Sequence, residues 1–244
     1  MVKLIYDIGA HRGDDTAFYL AKGAKVIAVE ANPSAARDLR TRFAAEIKRG
    51  RLVVEEAAVT DCEGCITLYI NERCDLWTST SETWAAQDGG GVLPVTVRAT
   101  TLAALIAKHG RPYYVKIDIE GQDKTALESL RGALSPQFVS VEEWGRGTIS
   151  ALRCAGYDRF SIRPQADKSW CRETGIEGPV SGFSFDHWSS GCFGLEVPDW
   201  LTFDEAEQVF NSTVRGDTGQ MICAPGEFFD VHATRKEILH GDHR

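Results

Sequence analysis

The sequence lacks several features that would direct its reading elsewhere. It has no apolar run approaching the roughly 20 residues needed to cross a bilayer, and no basic-then-apolar leader pattern precedes its first apolar stretch. Membrane insertion is therefore not expected, and the expected location is the cytoplasm. Basic charge is in deficit, with 27 Lys and Arg against 35 Asp and Glu. A formal charge of -8 and a pI near 5.3 argue against nonspecific binding to nucleic acid or anionic lipid. Only Arg146, Arg153, Arg159 and Arg163 gather locally. No internal repeat is visible. Cysteine patterning is incomplete: the seven cysteines are odd in number and irregular in spacing, which points to reduced thiols. The C-x-x-C of Cys62 and Cys65 has no second pair to complete a zinc site and reads as a turn between strands.

What is present is an ordinary globular composition, 43% hydrophobic and 25% charged over 244 residues, enough for one substantial core. The chain opens with Leu4-Ile5-Tyr6-Asp7-Ile8-Gly9-Ala10-His11-Arg12-Gly13 and continues to Val26-Ile27-Ala28-Val29-Glu30. This reads as a buried strand, a glycine turn, a helix and a second buried strand ending in an acid. Such a unit builds a nucleotide pocket, because glycines admit close backbone approach and the helix start offers unpaired N–H groups. Glu30 can accept both hydroxyls of a ribose. The G-x-G-x-x-G of dinucleotide sites is missing: position 7 is Asp, and Gly9 and Gly13 are four apart. An acid in the first turn repels a pyrophosphate and suits a cationic or amino-bearing ligand, S-adenosylmethionine rather than NAD.

Periodicity and turn residues predict strands over 3–8, 25–30, 52–59, 66–70, 95–99, 113–119, 138–144 and 160–163. Helices are predicted over 14–22, 33–48, 101–108, 122–131, 148–155 and 204–210. Strand–helix alternation through residue 163 implies a mostly parallel sheet covered on both faces. Residues 71–91 read as a long loop of the kind that often carries function. Residues 164–200 are irregular. The expected organisation is a binding domain over 1–200 and a C-terminal helical appendage with a flexible tail over 201–244.

In such sheets ligands bind beyond the carboxyl ends of the strands. Those ends carry Asp7, Glu30, Ala58-Val59, Asp118-Ile119-Glu120 and Glu142-Glu143. Acids gathered at one edge need a cation or hydrogen-bond donors to offset them. A sulfonium cofactor is one such cation. Asp118, Glu120 and Glu142 would also suit Mg²⁺ or Ca²⁺, but no spacing rule requires an ion, and no metal ligand is assigned.

Tyr6-Asp7-Ile8-Gly9-Ala10-His11-Arg12-Gly13, Val29-Glu30-Ala31-Asn32-Pro33 and Val115-Lys116-Ile117-Asp118-Ile119-Glu120-Gly121 together resemble the FkbM-type family of SAM-dependent methyltransferases. Val139-Ser140-Val141-Glu142 is similar to the family's next strand, and Ser189-Ser190-Gly191-Cys192-Phe193-Gly194 to a late glycine-rich loop. The resemblance implies a Rossmann-like class I methyltransferase fold, an α/β architecture whose seven-stranded, mostly parallel sheet ends in an antiparallel strand, with helices on both faces. It also implies methyl transfer, usually to a hydroxyl oxygen, here of a small molecule or glycan. Asp7, Gly9 and Gly13 would line the methionine end of S-adenosylmethionine and Glu30 would hold the ribose, with His11, Ala31, Ala58 and Asp118 completing the cofactor site. His11 stands where the family often has Asn. Candidates for the base that removes the hydroxyl proton are Asp118, Glu120, His187 and His11. An NAD(P)-linked oxidoreductase and a non-catalytic binding domain are the competing readings. Trp77, Trp84, Trp170 and Trp188 fall in irregular segments and are expected to pack rather than stack on a sugar.

Overall fold

The computed structural model describes residues 2–87, 89–130, 135–185 and 189–240. The first half of the main sheet follows the opening motif. β1 (Leu4–Ile8) leads through a glycine turn into α1 (Asp14–Ala21), and β2 (Lys25–Glu30) leads into α2 (Pro33–Arg42). Pro33 and the Asn32 side chain, which accepts from the Ser34 N–H at 3.0 Å, start α2. The helix predicted over 33–48 breaks at Phe43 (φ -110°) into α2 and α3 (Ala44–Lys48). β3 (Leu52–Glu56) then pairs with β2.

The strand predicted over 52–59 is also two. The Ala57 N–H turns to the Glu30 carbonyl at 3.0 Å, and β4 (Ala58–Val59) leaves the main sheet. It joins a second, three-stranded sheet, ordered β4–β6–β5, with β5 (Gly64–Asn71) and β6 (Val92–Thr100). Between these lies α4 (Glu82–Ala85), inside the segment predicted as loop. The sequence around Cys62 and Cys65 forms the turn into β5, and both thiols are free and exposed.

The second half supplies α5 (Leu102–His109), β7 (Tyr114–Ile117), α6 (Asp123–Glu128), β8 (Phe138–Glu142), α7 (Thr148–Cys154), β9 (Arg159–Pro164), α8 (Phe203–Thr213), β10 (Phe229–Thr234) and α9 (Lys236–His240). The main sheet runs β3–β2–β1–β7–β8–β10–β9. Neighbours from β3 to β8 are parallel, and β10 runs antiparallel between β8 and β9. This is the seven-stranded Rossmann-like arrangement with one antiparallel strand. Among the described residues no helix is long and apolar enough to cross a membrane.

The division at residue 200 does not survive. Residues 229–234 are wholly buried and lie inside the sheet, so the chain beyond 200 completes the core instead of hanging from it. The alternation of Phe229, Val231 and Ala233 with Asp230, His232 and Thr234 resembles a strand with one wet face, yet both faces are covered. Residues 164–200 also pack inward. Phe183, Phe185 and Phe193 surround the Phe18 ring at 5.4, 4.8 and 5.9 Å. Lys22, which caps the C-terminal end of α1, is buried against Glu173 (3.2 Å) and Glu196 (3.1 Å).

One glycine fixes the approach of two strand ends. Gly9 (φ +82°) lies so close to β7 that a Cβ built there would sit 1.7 Å from the Asp118 carbonyl oxygen. Gly50 has a similar φ of +71° and open space around it. Gly50→Ala should therefore cost only the left-handed penalty of about 1–2 kcal/mol. Gly9→Ala should cost clearly more, because backbone must move. Urea denaturation of the two variants checks this, and equal losses would contradict the packing.

Candidate active site

The sheet order reverses between β1 and β7, which places a crevice beyond their carboxyl ends. A cavity lies there. The turn after β1 gives Gly9, Ala10 and His11, the end of β2 gives Glu30 and Ala31, and the β3–β4 bend gives Ala57 and Ala58. The turn after β7 gives Asp118, Ile119 and Glu120, and the loop after β5 gives Asp75, Thr78 and Thr80.

Beneath this cleft lies a buried ammonium. The register sets Lys116 beside Asp7. Its Nζ is 3.1 Å from Asp15, 3.2 Å from Asp118 and 3.9 Å from Asp7. Burial alone would lower the lysine, but Asp118, Asp15, Asp7 and Asp230 together hold it charged, well above the usual lysine range. Asp7 is 0% exposed and accepts from the Thr16 hydroxyl at 2.5 Å. Burial pushes its carboxyl up to about 6 against the pull of Lys116.

Glu30 is buried at the cleft wall with both oxygens oriented by backbone. Oε2 accepts from the His11 N–H and Oε1 from the Asn32 N–H, each at 2.7 Å. Burial raises its carboxyl to about 7, the two amides opposing. On the other wall, Glu120 has a left-handed φ of 50° and takes the Trp84 indole N–H at 2.7 Å. The Ser79 hydroxyl donates to the Glu120 carbonyl at 2.7 Å, and the Asp123 carboxylate accepts from the Ile119 and Gly121 N–H groups at 3.0 and 3.2 Å. Burial, then Asp118, lifts Glu120 to about 7.

The segment predicted as an open loop thus folds over the cleft and touches both walls. Opposite Trp84 and Ser79, Asp75 receives Arg12 Nη2 at 2.6 Å and lies 3.3 Å from His11 Nε2. The Thr78 and Thr80 hydroxyl oxygens are buried without a partner among the described residues, and both residues line the cavity.

Of the expected site residues, Gly9, His11, Glu30, Ala31, Ala58, Asp118 and Glu120 converge on this one cavity. Asp7 and Gly13 are not among its lining residues. Asp7 lies below the floor, where Lys116 answers its charge, and Gly13 sits under Leu39 and Phe43. His187 lies outside the described residues, as does Trp188. His11 faces Arg12 (2.9 Å) and Asp75, and burial lowers its imidazole. The sequence reading missed Lys116, Asp75 and Asp230. Lys116 stood two residues before Asp118 in a strand otherwise apolar, which was a usable signal; Asp75 and Asp230 offered none.

Residues 7–146 match the family model described as the methyltransferase FkbM domain. No curated protein matches the sequence. Solved structures similar to the chain include precorrin-6y C5,15-methyltransferase from Geobacter metallireducens, with 11% identity and a TM-score of 0.41 over 96% of this chain and 80% of that one. An O-methyltransferase from Bacillus cereus in complex with S-adenosylhomocysteine shows 12% identity and a TM-score of 0.37 over 96% and 74%. A didemethyltoxoflavin N1-methyltransferase from Burkholderia thailandensis shows 14% identity and a TM-score of 0.37 over 67% and 64%. The family match spans more than half of the sequence and contains the cleft's strand-end turns, so the chain belongs to the FkbM methyltransferase family and is a methylating enzyme that uses S-adenosylmethionine.

Proposed function

We propose that this enzyme transfers the methyl group to a hydroxyl oxygen on a small molecule or glycan. The observation that carries the reading is the contact between Gly9 and Asp118, which brings the cofactor turn against the turn bearing Asp118 and Glu120. The methionine end of the cofactor lies along Gly9, the ribose hydroxyls bond Glu30, and the adenine lies among Ala31, Ala58 and their apolar neighbours. The acceptor oxygen attacks the methyl carbon in line as the carbon–sulfur bond breaks, and sulfur keeps the electron pair. The hydroxyl proton passes to Asp118 or Glu120. In-line positioning supplies much of the barrier reduction and proton removal the remainder. His11 serves instead to hold Arg12, which donates to its Nε2 and ties down the covering loop through Asp75. The acidic mouth supports an acceptor without phosphate groups.

Isotope-labelled methyl from S-adenosylmethionine, offered to pools of hydroxylated small molecules and oligosaccharides, should appear as an O-methyl signal by NMR. Label found only on nitrogen or carbon would overturn the oxygen assignment, and no turnover with any pool would favour a non-catalytic binding domain. Asp118→Asn should lower turnover far more than S-adenosylhomocysteine affinity. Equal losses would make Asp118 a cofactor residue.

Glu30→Ala should weaken S-adenosylhomocysteine by about 10- to 100-fold, because charge-assisted bonds of roughly 1.5–3 kcal/mol are lost. Calorimetric titration reads this, and unchanged affinity would remove the ribose role. The raised Glu30 carboxyl also gives a pH signature. A folded value near 7, above the ordinary glutamate range, means that Glu30 stabilises the ligand-free fold most at low pH. That contribution is lost as pH rises through about 7. Relative to Glu30→Gln, the wild type should lose stability in urea between about pH 4.5 and 7 while gaining S-adenosylhomocysteine affinity. Parallel profiles for the two proteins would contradict this.

A further inference from the structure

Glu142 ends β8, and directly opposite it in the antiparallel register stands Asp230 of β10. Residues so paired project from the same face with Cβ atoms about 5 Å apart, and like charges there are unfavourable. Asp230 is 5% exposed, yet among the described residues neither its carboxylate nor that of Glu142 receives a hydrogen bond or an ion pair. The two nearby ammonium groups are engaged elsewhere: Lys116 with Asp7, Asp15 and Asp118, and Lys168 with the Gln165 side chain. Beside this pair, one carboxylate oxygen from each of Asp118, Glu120 and Glu142 lies within 4.8 Å of the others. Oxygen ligands sit about 2.0–2.6 Å from Mg²⁺ or Ca²⁺, so oxygens up to about 5 Å apart can share one ion.

We infer that Asp118, Glu120 and Glu142, backed by Asp230, bind a hard divalent cation such as Mg²⁺ or Ca²⁺ at the mouth of the cofactor cleft. The all-oxygen donor set, partly open to solvent, suits such ions and not the softer metals that prefer sulfur or imidazole. The role of the ion rests on the methyl-transfer reading above: an acceptor hydroxyl on a bound divalent ion is more acidic than one in water. Each carboxyl lends the ion one oxygen.

Trp84 supplies a probe, since its indole nitrogen is 2.7 Å from Glu120. Tb³⁺, an oxygen-seeking analogue of Ca²⁺, should show saturable emission when tryptophan is excited in the full chain. Ca²⁺ or Mg²⁺ should displace it. Glu142→Gln and Asp230→Asn should each weaken Tb³⁺ by at least about tenfold. Trp84→Phe should cut the emission by more than half while calorimetry still detects the ion. Absence of saturable emission together with a flat calorimetric titration, or wild-type affinity in both carboxylate variants, would overturn the site. S-adenosylhomocysteine thermal shifts on the same proteins report folding and keep the two readings apart. A shift by S-adenosylhomocysteine without ion binding sinks the cation site alone. Ion binding lost in the carboxylate variants, without any S-adenosylhomocysteine shift, supports the site and counts against the methyl-transfer reading.

Discussion

The Lys116 ammonium is the interaction on which the cleft depends. A buried lysine is unfavourable unless its charge is answered, and here three chain segments answer it: β1 through Asp7, α1 through Asp15, and the turn after β7 through Asp118. Asp15 also accepts the Ser190 N–H at 2.7 Å, which ties the late glycine-rich loop to the same point. Removing the ammonium would leave these carboxylates facing one another in a water-poor interior. The glycine turn, the first helix and the turn after β7 are therefore held in their relative positions by that charge. Gly9 then allows the two turns to touch.

Above this rigid base the covering loop is held by weaker contacts. Arg12 and Asp75 form a partly exposed ion pair, a class that contributes about 0–1 kcal/mol. Trp84 to Glu120 and Ser79 to the Glu120 carbonyl are single hydrogen bonds. A cleft that must admit one molecule and release another is suited by such a contrast. The floor is fixed by multiple buried charges, whereas the roof is fastened by contacts that can be exchanged for ligand contacts. The unpartnered Thr78 and Thr80 hydroxyls lie on that roof and face the cavity they line.

The legible part of the sequence was the part under simple physical rules. Buried parallel strands read as apolar runs, and their ends read as acids, so β1, β2, β7 and β8 and the residues they present were visible in advance. Two kinds of feature were not. A strand such as β10, which buries Asp230 and His232 among its neighbours, carries the alternation of a half-exposed strand and no mark of its central place. Asp75 lies 63 residues from its partner Arg12, and no local spacing could announce that pairing. Asp7 has an internal partner that was hidden for the same reason. Its acidity was read as facing a ligand, because its counter-ion stands on a strand more than a hundred residues away.

The internal pairing of Asp7 with Lys116 bears on the charge of the proposed cofactor site. In that proposal the attraction for a cationic methyl donor falls to the acids that Lys116 leaves over. Asp118 is shared between the ammonium and the cleft, Glu120 has only an indole donor, and Glu142 and Asp230 have none among the described residues. Burial, then the charge of Asp118, raises the carboxyls of Glu120, Glu142 and Asp230, and Glu142 is raised further by Glu120 and Asp230. A cation arriving at the mouth reverses that trend, because it stabilises the ionised forms it binds. The negative charge that receives the ligand is thus partly created by the ligand. The product, S-adenosylhomocysteine, keeps its amino-acid zwitterion but has a neutral thioether in place of the sulfonium, so it forfeits that part of the stabilisation, and in the proposed site the acids that favour entry of the sulfonium favour release of what remains.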